Sequence, residues 1–245
     1  MTRLVAAEVF KLRSTRTFYG LVGGALGLVI LIVILASATG HTLLRDLLGV
    51  AGFAQVFALV LGILAVTSEF RHGTTTPSPL VVPDRVTLIV AKLGASLAVG
   101  LALGLVATGL AGAIGAAILS QRGIDTGLSG SEAAKLIAGG TIATALYAAL
   151  GVGVGALVRN QVGAIVGTLV YLFVLENLLQ IVKALRDPVA KYGFARVGQG
   201  LSGTGDAAAD HPPLHQVPAG LVLAGYCAIF LIIGIAMMKR RDITA

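Results

Sequence analysis

The sequence predicts an all-α integral membrane protein with six transmembrane helices, and three observations carry that prediction. Hydrophobic residues make up 56% of the 245 residues and charged residues only 12%, whereas a typical soluble domain is about 25% charged. Apolar runs of about 20 residues, the length that crosses a bilayer as a helix, recur along the whole chain. The polar stretches between them are too short for a folded soluble domain, so 1–245 is expected to be a single transmembrane domain.

The first 17 residues predict a short amphipathic helix that lies on the membrane surface. Residues 1–17 hold four basic side chains and one acid, Glu8. On a helix their apolar side chains share one broad arc, while Glu8 and Lys11 lie on the opposite face. The alternative interpretation is a disordered basic tail.

Six apolar runs follow, each bounded by charged or turn-forming residues. The predicted transmembrane helices are 18–38, 47–67, 86–119, 133–158, 162–182 and 219–238. The third run has about 34 residues, or roughly 50 Å of helix, which exceeds the hydrocarbon core of about 30 Å. Its first two turns are therefore expected to project out of the membrane, with Lys92 near the boundary.

Two connections between the spans differ from simple turns. Residues 68–85, between the second and third spans, contain charges of both signs and three prolines, so they are expected to lie in water. Residues 183–218, between the fifth and sixth spans, are long for a loop. Within that connection, 188–201 carries regularly spaced apolar residues.

The charge distribution predicts the orientation of the chain. If both termini, the 68–85 loop and Arg159 share one face of the membrane, that face carries 11 of the 18 Lys and Arg residues but only four acids. The opposite face then carries seven residues of each sign, so the net charge of +7 lies on one face. The positive-inside rule makes that face cytoplasmic. The basic excess therefore indicates topology, and nucleic-acid binding is not expected.

The sequence gives little support for a metal-binding site or for protease activity. A single cysteine, Cys227, excludes a disulfide within the chain and a cysteine metal site. His211 and His215 have the i, i+4 spacing of metal ligands, but two prolines between them oppose a helix. Segments 127–130 and 200–203 match the Gly-x-Ser-Gly motif of rhomboid proteases, yet no histidine lies in a span to serve as the base.

Three groups of residues carry a resemblance to a known family. They are the loop residues Glu69-Phe70-Arg71-His72-Gly73-Thr74, Pro83-Asp84-Arg85 and Ala91-Lys92, with Ala7-Glu8 and Lys11-Leu12-Arg13 near the start and Lys239-Arg240-Arg241-Asp242 near the end. In these segments and in its full-length layout the chain resembles the permease subunits of ABC (ATP-binding-cassette) type-2 exporters, which are bacterial drug and antibiotic efflux permeases. It departs from the family at 75–79, where an apolar helical turn is usual.

The resemblance implies a permease subunit in the bacterial cytoplasmic membrane. It would export an amphipathic or lipophilic substrate, such as a drug, a lipid or a peptide antibiotic, by alternating access. Two separate ATPase subunits would bind ATP and Mg²⁺, and the permease would pair with a second copy or a paralogue. The sequence contains no G-x-x-x-x-G-K-[ST] phosphate loop, so no cofactor is expected on this chain.

The resemblance also assigns roles to the 68–85 loop, because the family's loop docks into the ATPase as a coupling helix. Glu69 and Arg71 would anchor the end of the second span through ion pairs. Gly73 would allow a turn that a side chain hinders, and Thr74 would cap a short helix. The third span would restart at Pro83 and Arg85. The alternative is an ordinary solvated loop.

The family's second and fifth spans are thought to line the transport path, which implies a set of path residues here. These are Phe53, Gln55, Phe57, Glu176 and Asn177. Glu176 is the only acid within a predicted span, and a charge at mid-membrane costs at least about 2.5 kcal/mol. It could line the exit of the path, or it could be an interfacial side chain or a satisfied pair. The family also implies that 188–201 re-enters the outer leaflet as short helices.

Glycines spaced four residues apart predict close helix contacts, because small residues let helices approach in lipid. The pairs are Gly20/Gly24, Gly23/Gly27, Gly100/Gly104, Gly151/Gly155 and Gly163/Gly167. Most are expected to pack within one subunit. Gly163 and Gly167 on the fifth span are the candidates for a contact between two permease copies.

Two other functions stay open from the sequence. A non-transporting membrane scaffold or assembly protein would need the same spans but no ATPase. An ATP-independent secondary carrier would also lack a partner ATPase. Carriers usually place charges or broken helices near the membrane midplane, and the span centres here are nearly free of charge.

Overall fold

A computed structural model describes residues 1–38, 43–71, 85–158, 160–205 and 211–241. All regular structure in these ranges is helical, and six helices are long and apolar enough to cross a membrane. This confirms the prediction of an all-α membrane protein with six apolar spans at that level of detail.

The helices are numbered in chain order. They are α1 Thr2–Arg13, α2 Arg16–Ala38, α3 Leu44–Gly49, α4 Gly52–Arg71, α5 Arg85–Gln121, α6 Gly130–Leu157, α7 Gln161–Leu179, α8 Lys183–Tyr192, α9 Phe194–Ser202 and α10 Gln216–Arg241. A π-helical turn, Tyr171–Leu175, lies within α7. The predicted second span corresponds to α3 and α4, which are separated by Val50 and Ala51.

Local hydrogen bonds explain where several helices begin and end. The hydroxyl groups of Ser14 and Thr15 donate to the carbonyls of the last turn of α1 and so divide it from α2. Ser129 and Glu132 form a reciprocal capping box, which starts α6 three residues before the predicted 133. The Asn160 side chain accepts hydrogen bonds from the first amides of α7.

Helix α6 lies at the centre of the bundle, and α4, α5, α9 and α10 pack around it. Glycines make these contacts close. A Cβ placed on Gly62 of α4 would lie 2.0 Å from the Ala148 carbonyl oxygen, and one on Gly100 of α5 would lie 2.7 Å from the Ala145 Cα. Since real Cβ atoms do not approach this closely, these positions tolerate only glycine without a shift of the backbone.

Helix α5 is 37 residues long, about 55 Å at 1.5 Å per residue. Its first half packs against α1. Lys92 lies there, 2% exposed, and its Nζ donates to Glu8 Oε2 of α1 at 2.8 Å. Two residues further along α5, a Cβ placed on Gly94 would lie 3.1 Å from the Val5 side chain of α1. The N-terminal helix is thus attached to α5 by an ion pair that the sequence did not predict.

The predicted coupling loop falls largely outside the described residues. Gly73, Thr74 and Pro83 lie in the undescribed segment 72–84, and the side chains of Glu69, Arg71 and Arg85 are outside the described residues as well. The backbone places Glu69 and Arg71 in the last turn of α4 and Arg85 at the first position of α5. The coupling roles therefore stay predictions.

A polar cavity as the candidate functional site

Four of the five predicted path residues meet at one cavity of about 370 Å³, which is called the polar cavity below. It lies between the first turns of α4, the second half of α7 and α9. Its lining is Gly49, Gly52, Phe53, Gln55, Val56, Tyr147, Leu172, Phe173, Glu176, Asn177, Gln180, Ala195, Arg196, Gln199, Ser202 and Thr204. Amides, hydroxyl groups and two charged side chains are thus gathered around one cavity of a bundle whose core is mostly apolar.

Phe57 is the predicted path residue that the structure places elsewhere. It packs against the cluster formed by α2, α3, α4 and α5, and a Cβ placed on Gly24 of α2 would lie 3.4 Å from its ring. Phe57 lies one turn beyond Phe53 on α4, and a helix of 3.6 residues per turn rotates it about 40° away from Phe53. That rotation directs it towards α2.

Glu176 binds the N-terminus of α9. Its carboxylate accepts hydrogen bonds from the backbone N–H groups of Ala195 at 3.0 Å and Arg196 at 3.3 Å. The residue is 1% exposed. The first amides of a helix lack acceptors within the helix and carry a partial positive charge, so they stabilise a buried carboxylate. The sequence left three roles open for Glu176: a residue at the exit of the path, an interfacial side chain or a satisfied pair. The structure shows a paired carboxylate, and its partner is the N-terminus of α9.

Gly193, the residue before α9, makes this contact possible. A Cβ there would lie 2.3 Å from Glu176 Oε1 and 2.6 Å from the Val189 carbonyl oxygen. The π-helical turn immediately precedes Glu176 in α7. Such turns contain one extra residue and change the direction in which nearby side chains project.

The rest of α9 is held by α6 and α10. The Tyr147 hydroxyl group of α6 donates to the Phe194 carbonyl oxygen, and the Phe194 ring packs against Tyr226 with centroids 4.9 Å apart. A Cβ on Gly198 would lie 2.6 Å from Tyr147 Oη and 2.8 Å from Gln55 Oε1. Helix α9 therefore packs closely against Tyr147 of α6 and Gln55 of α4, and together they line the polar cavity.

Helix α9 lies alongside the middle of α6. Its first turn contacts Tyr147, which follows Gly130 by about 25 Å along α6 at 1.5 Å per residue. Its last turn contacts Gly139, where a Cβ would lie 2.3 Å from the Leu201 carbonyl oxygen. Gly203 then ends α9 with a positive φ of 70°, the conformation that favours glycine after a helix.

Arg196 and Glu176 differ in their partners. The Arg196 guanidinium donates from Nη1 to Gln199 Oε1 at 3.3 Å and from Nη2 to the His211 carbonyl oxygen at 2.9 Å. Its Nε is buried and has no acceptor among the described residues. The polar cavity therefore contains a cation with an incomplete set of hydrogen bonds.

A second, larger cavity of about 610 Å³ adjoins the end of α9. Arg45, Glu132 and Lys135 contribute charges to it, and the chain before α10 forms one wall. Gln199 of α9 lines both cavities, so the two cavities are neighbours at this helix.

Sequence reasoning missed Tyr147, Arg196 and Gln199 as members of the site. Two signals were present in the sequence. Tyr147 is the only aromatic residue of α6, and Arg196 is the only charged residue of α9. A lone charged residue in a segment at membrane depth is a general sign of a buried partner or a functional role.

The proposed dimer glycines lie on a free face of α7. No described atom lies within 4 Å of a Cβ placed on Gly167, and a Cβ on Gly163 meets only the side chain of Asn160. Val162 and Val166 on the same side are 65% and 52% exposed. The position is compatible with a contact to another chain, and the dimer contact stays a prediction.

Within the described ranges, no group of three His, Cys, Asp or Glu side chains is arranged to hold a metal ion. His211 instead pairs with Asp187 at 3.0 Å. A scan against protein-family models finds no match to this sequence, and a search of the curated proteins finds none either.

Proposed function

We propose that the chain is the transmembrane permease subunit of an ATP-driven exporter in the bacterial cytoplasmic membrane. One observation carries the proposal: the polar cavity joins path residues from the second and fifth spans, namely Phe53, Gln55, Glu176 and Asn177. Its volume of about 370 Å³ falls within the range of sites that bind small molecules. A scaffold that only packs against other proteins has no need for such a cavity.

The arrangement of α9 supports a transport path. This helix contributes to the lining of both the polar cavity and the neighbouring cavity of about 610 Å³. In the proposed orientation the larger cavity faces the outside, and α8 and α9 form the re-entrant segment predicted at 188–201. A displacement of α9 would then join the two cavities. ATP binding by the partner subunits would have to favour one position of α9, since a contact that is equal in both states shifts no equilibrium.

The permease would receive this energy through the segment between α4 and α5. Glu69 and Arg71 at the end of α4 and Arg85 at the start of α5 bracket the predicted coupling loop, which would dock on the ATPase. Two ATPase subunits and a second permease copy or paralogue complete the proposed complex. ATP and Mg²⁺ would bind to the ATPase subunits.

Purification of the tagged chain from its native membrane in mild detergent tests the proposal. A P-loop ATPase should co-purify in stoichiometric amount, with measurable ATP hydrolysis. The double variant Glu69→Ala/Arg71→Ala should lose the ATPase and transport while staying folded. The matched control, Arg186→Ala/Asp187→Ala, removes one basic and one acidic exposed side chain from α8 and should keep both. A preparation without an ATPase, from membranes that still transport, contradicts the proposal.

An ATP-independent carrier is the second candidate, because a buried carboxylate beside a cavity is the usual site of ion coupling. Glu176 is such a group. Its oxygens already accept two backbone N–H groups, which favours a structural role. Transport that persists after ATP depletion and stops when the ion gradients collapse would favour the carrier.

A further inference from the structure

The polar cavity contains two side chains that can carry charge, Glu176 and Arg196. Among the described residues, only Glu176 has hydrogen-bond partners for all of its charged atoms. The Glu176 carboxylate is 1% exposed, and each oxygen accepts a backbone N–H from the start of α9. These contacts and the positive end of the helix stabilise the carboxylate in place. Glu176 is thus poorly placed to attract a cationic ligand.

Arg196, in contrast, has an incomplete set of hydrogen-bond acceptors among the described residues. Its two hydrogen-bond partners, the Gln199 side chain and the His211 carbonyl group, are both uncharged. Among the described residues it forms no ion pair, and its buried Nε has no acceptor. A buried donor without an acceptor is destabilising, and more so when the donor is charged. An acceptor group entering the cavity could pair with this guanidinium.

The chemistry of a guanidinium defines the group that fits it. Arginine presents five N–H donors in a planar fork and has no acceptor. Carboxylates and phosphates match this fork through two parallel hydrogen bonds, which are stronger than bonds to neutral acceptors. Glu176 is the one acid in the lining, and its two oxygens already accept the N–H groups of α9. The other polar side chains around the cavity, such as Gln55, Asn177 and Gln180, are neutral amides, which do not repel a negative charge.

The aromatic part of the lining defines the rest of the ligand. Phe53 of α4 and Phe173 of α7 also line the cavity, and these two side chains are 40% and 54% exposed. Aromatic faces that are left uncovered favour contact with an apolar or aromatic body. A cation and two aromatic rings in one lining suit a molecule with an acidic head and an apolar body.

We propose that the polar cavity binds an amphipathic anion. Its carboxylate or phosphate pairs with Arg196, and its apolar part lies against Phe53 and Phe173. The inference deepens the proposed function and rests on it, because it narrows the exported substrates to acidic amphipathic molecules. The anion could enter from water or could be the headgroup of an anionic lipid.

A direct binding measurement tests this without any ATPase or transport. The full chain is placed in phosphatidylcholine nanodiscs, and equilibrium dialysis with radiolabelled 2-naphthoate gives its affinity. Two probes of the same shape, 2-naphthamide and 2-naphthylmethylammonium, supply neutral and positive heads. Protein-free nanodiscs measure partition into lipid. The expected order is naphthoate at least about tenfold tighter than the amide, as for a charge-assisted bond, with the ammonium weakest.

Substitutions of Arg196 test whether this side chain causes the preference for naphthoate over the amide. Arg196→Gln should bind naphthoate and the amide equally, and Arg196→Lys should restore part of the preference. Arg186→Gln is the matched control, because Arg186 lies exposed on α8 and lines neither cavity. It should behave as the parent chain does. Thermal unfolding of each variant checks that it is folded.

Two results overturn the proposal: equal affinity of the parent chain for the three probes, or an anion preference that survives Arg196→Gln. The first needs no variant and so holds even if Arg196→Gln does not fold. Phosphatidylglycerol nanodiscs at high salt, which screens the repulsion between the anionic bilayer and naphthoate, distinguish the sources of the anion. Naphthoate binding that stays weaker there than in phosphatidylcholine means that the lipid headgroup occupies the same site, and equal binding means that the anion enters from water. If no ATPase co-purifies and the chain still binds naphthoate through Arg196, the proposed function fails and the anion site stands without its role in export.

Discussion

Helices α6 and α7 are neighbours in the chain and carry the same Gly-x-x-x-Gly spacing, yet the glycines lie in opposite surroundings. On α6, a Cβ at Gly151 would lie 2.1 Å from the Leu59 carbonyl oxygen, and one at Gly155 would lie 2.9 Å from the Ile63 carbonyl oxygen. On α7, no described atom lies within 4 Å of a Cβ at Gly167. The first pair packs against α4, whereas the second faces away from the bundle.

The comparison shows that the motif alone does not identify an interface. A glycine of α6 is required because the α4 backbone occupies the space where its side chain would be. At Gly167 of α7, no described neighbour occupies that space. A glycine there is needed only if another subunit packs against this face. Substitutions at the two positions therefore should have very different effects.

The largest expected effect is that of Gly151→Ala. The added methyl group would meet the backbone of both Leu59 and Ile63, so α4 and α6 must separate. We expect a loss of about 3 kcal/mol in the free energy of unfolding, at the upper end of the range for overpacking. Unfolding in a mixed detergent series, followed by circular dichroism, measures it.

Gly167→Ala is the matched control for that substitution. It should leave the free energy of unfolding unchanged or raise it by up to about 1 kcal/mol, because alanine is the better helix former. If both variants lose the same stability, the contrast between α6 and α7 is wrong.

An intermediate effect is expected for Glu176→Gln, which tests how α7 holds α9. The amide keeps the size of the side chain but loses the charge that faces the helix N-terminus. We expect a loss of about 1–2 kcal/mol, as for other helix caps and buried helix-end charges. Faster hydrogen exchange at the amides of Ala195 and Arg196 should accompany it.

Asp187→Asn supplies the control for a lost carboxylate. Asp187 lies exposed on α8 and pairs only with His211 among the described residues. An exposed pair contributes at most about 1 kcal/mol, and the exchange of the α9 amides should not change. Unaltered exchange in Glu176→Gln would show that α9 does not depend on the carboxylate.

Gly167→Cys should have the smallest effect on stability, because no described atom lies near the added side chain. It also tests directly whether this face of α7 contacts a second permease copy. If Gly163 and Gly167 form the contact between two permease copies, mild oxidation in membranes should give a disulfide-linked dimer. The native Cys227 is buried and its Sγ contacts the Leu146 carbonyl group, so it should contribute little background.

Gly27→Cys provides the comparison for cross-linking, because a Cβ at Gly27 of α2 also meets no described atom within 4 Å. Equal cross-linking at both positions would indicate random collision and would count against the dimer contact on α7.

Much of the fold could be predicted from the sequence, because hydropathy and helix caps are local properties. The six apolar runs are of this kind. The grouping of Phe53, Gln55, Glu176 and Asn177 was instead expected from the family resemblance of the second and fifth spans. The partners of the polar groups could not be predicted. Glu176 contacts amides 19 and 20 residues later, and Lys92 contacts Glu8 across 84 residues, so each pair depends on how distant helices pack.

Hydropathy alone was enough to predict six apolar helices and approximately where each begins and ends. The covered face of each helix became known from the packing: Gly151 contacts α4, Gly167 contacts no described neighbour, and Arg196 lines a cavity. The bilayer explains this division. Lipid tails are as apolar as a protein core, so hydrophobicity does not distinguish a face that contacts lipid from one that contacts another helix.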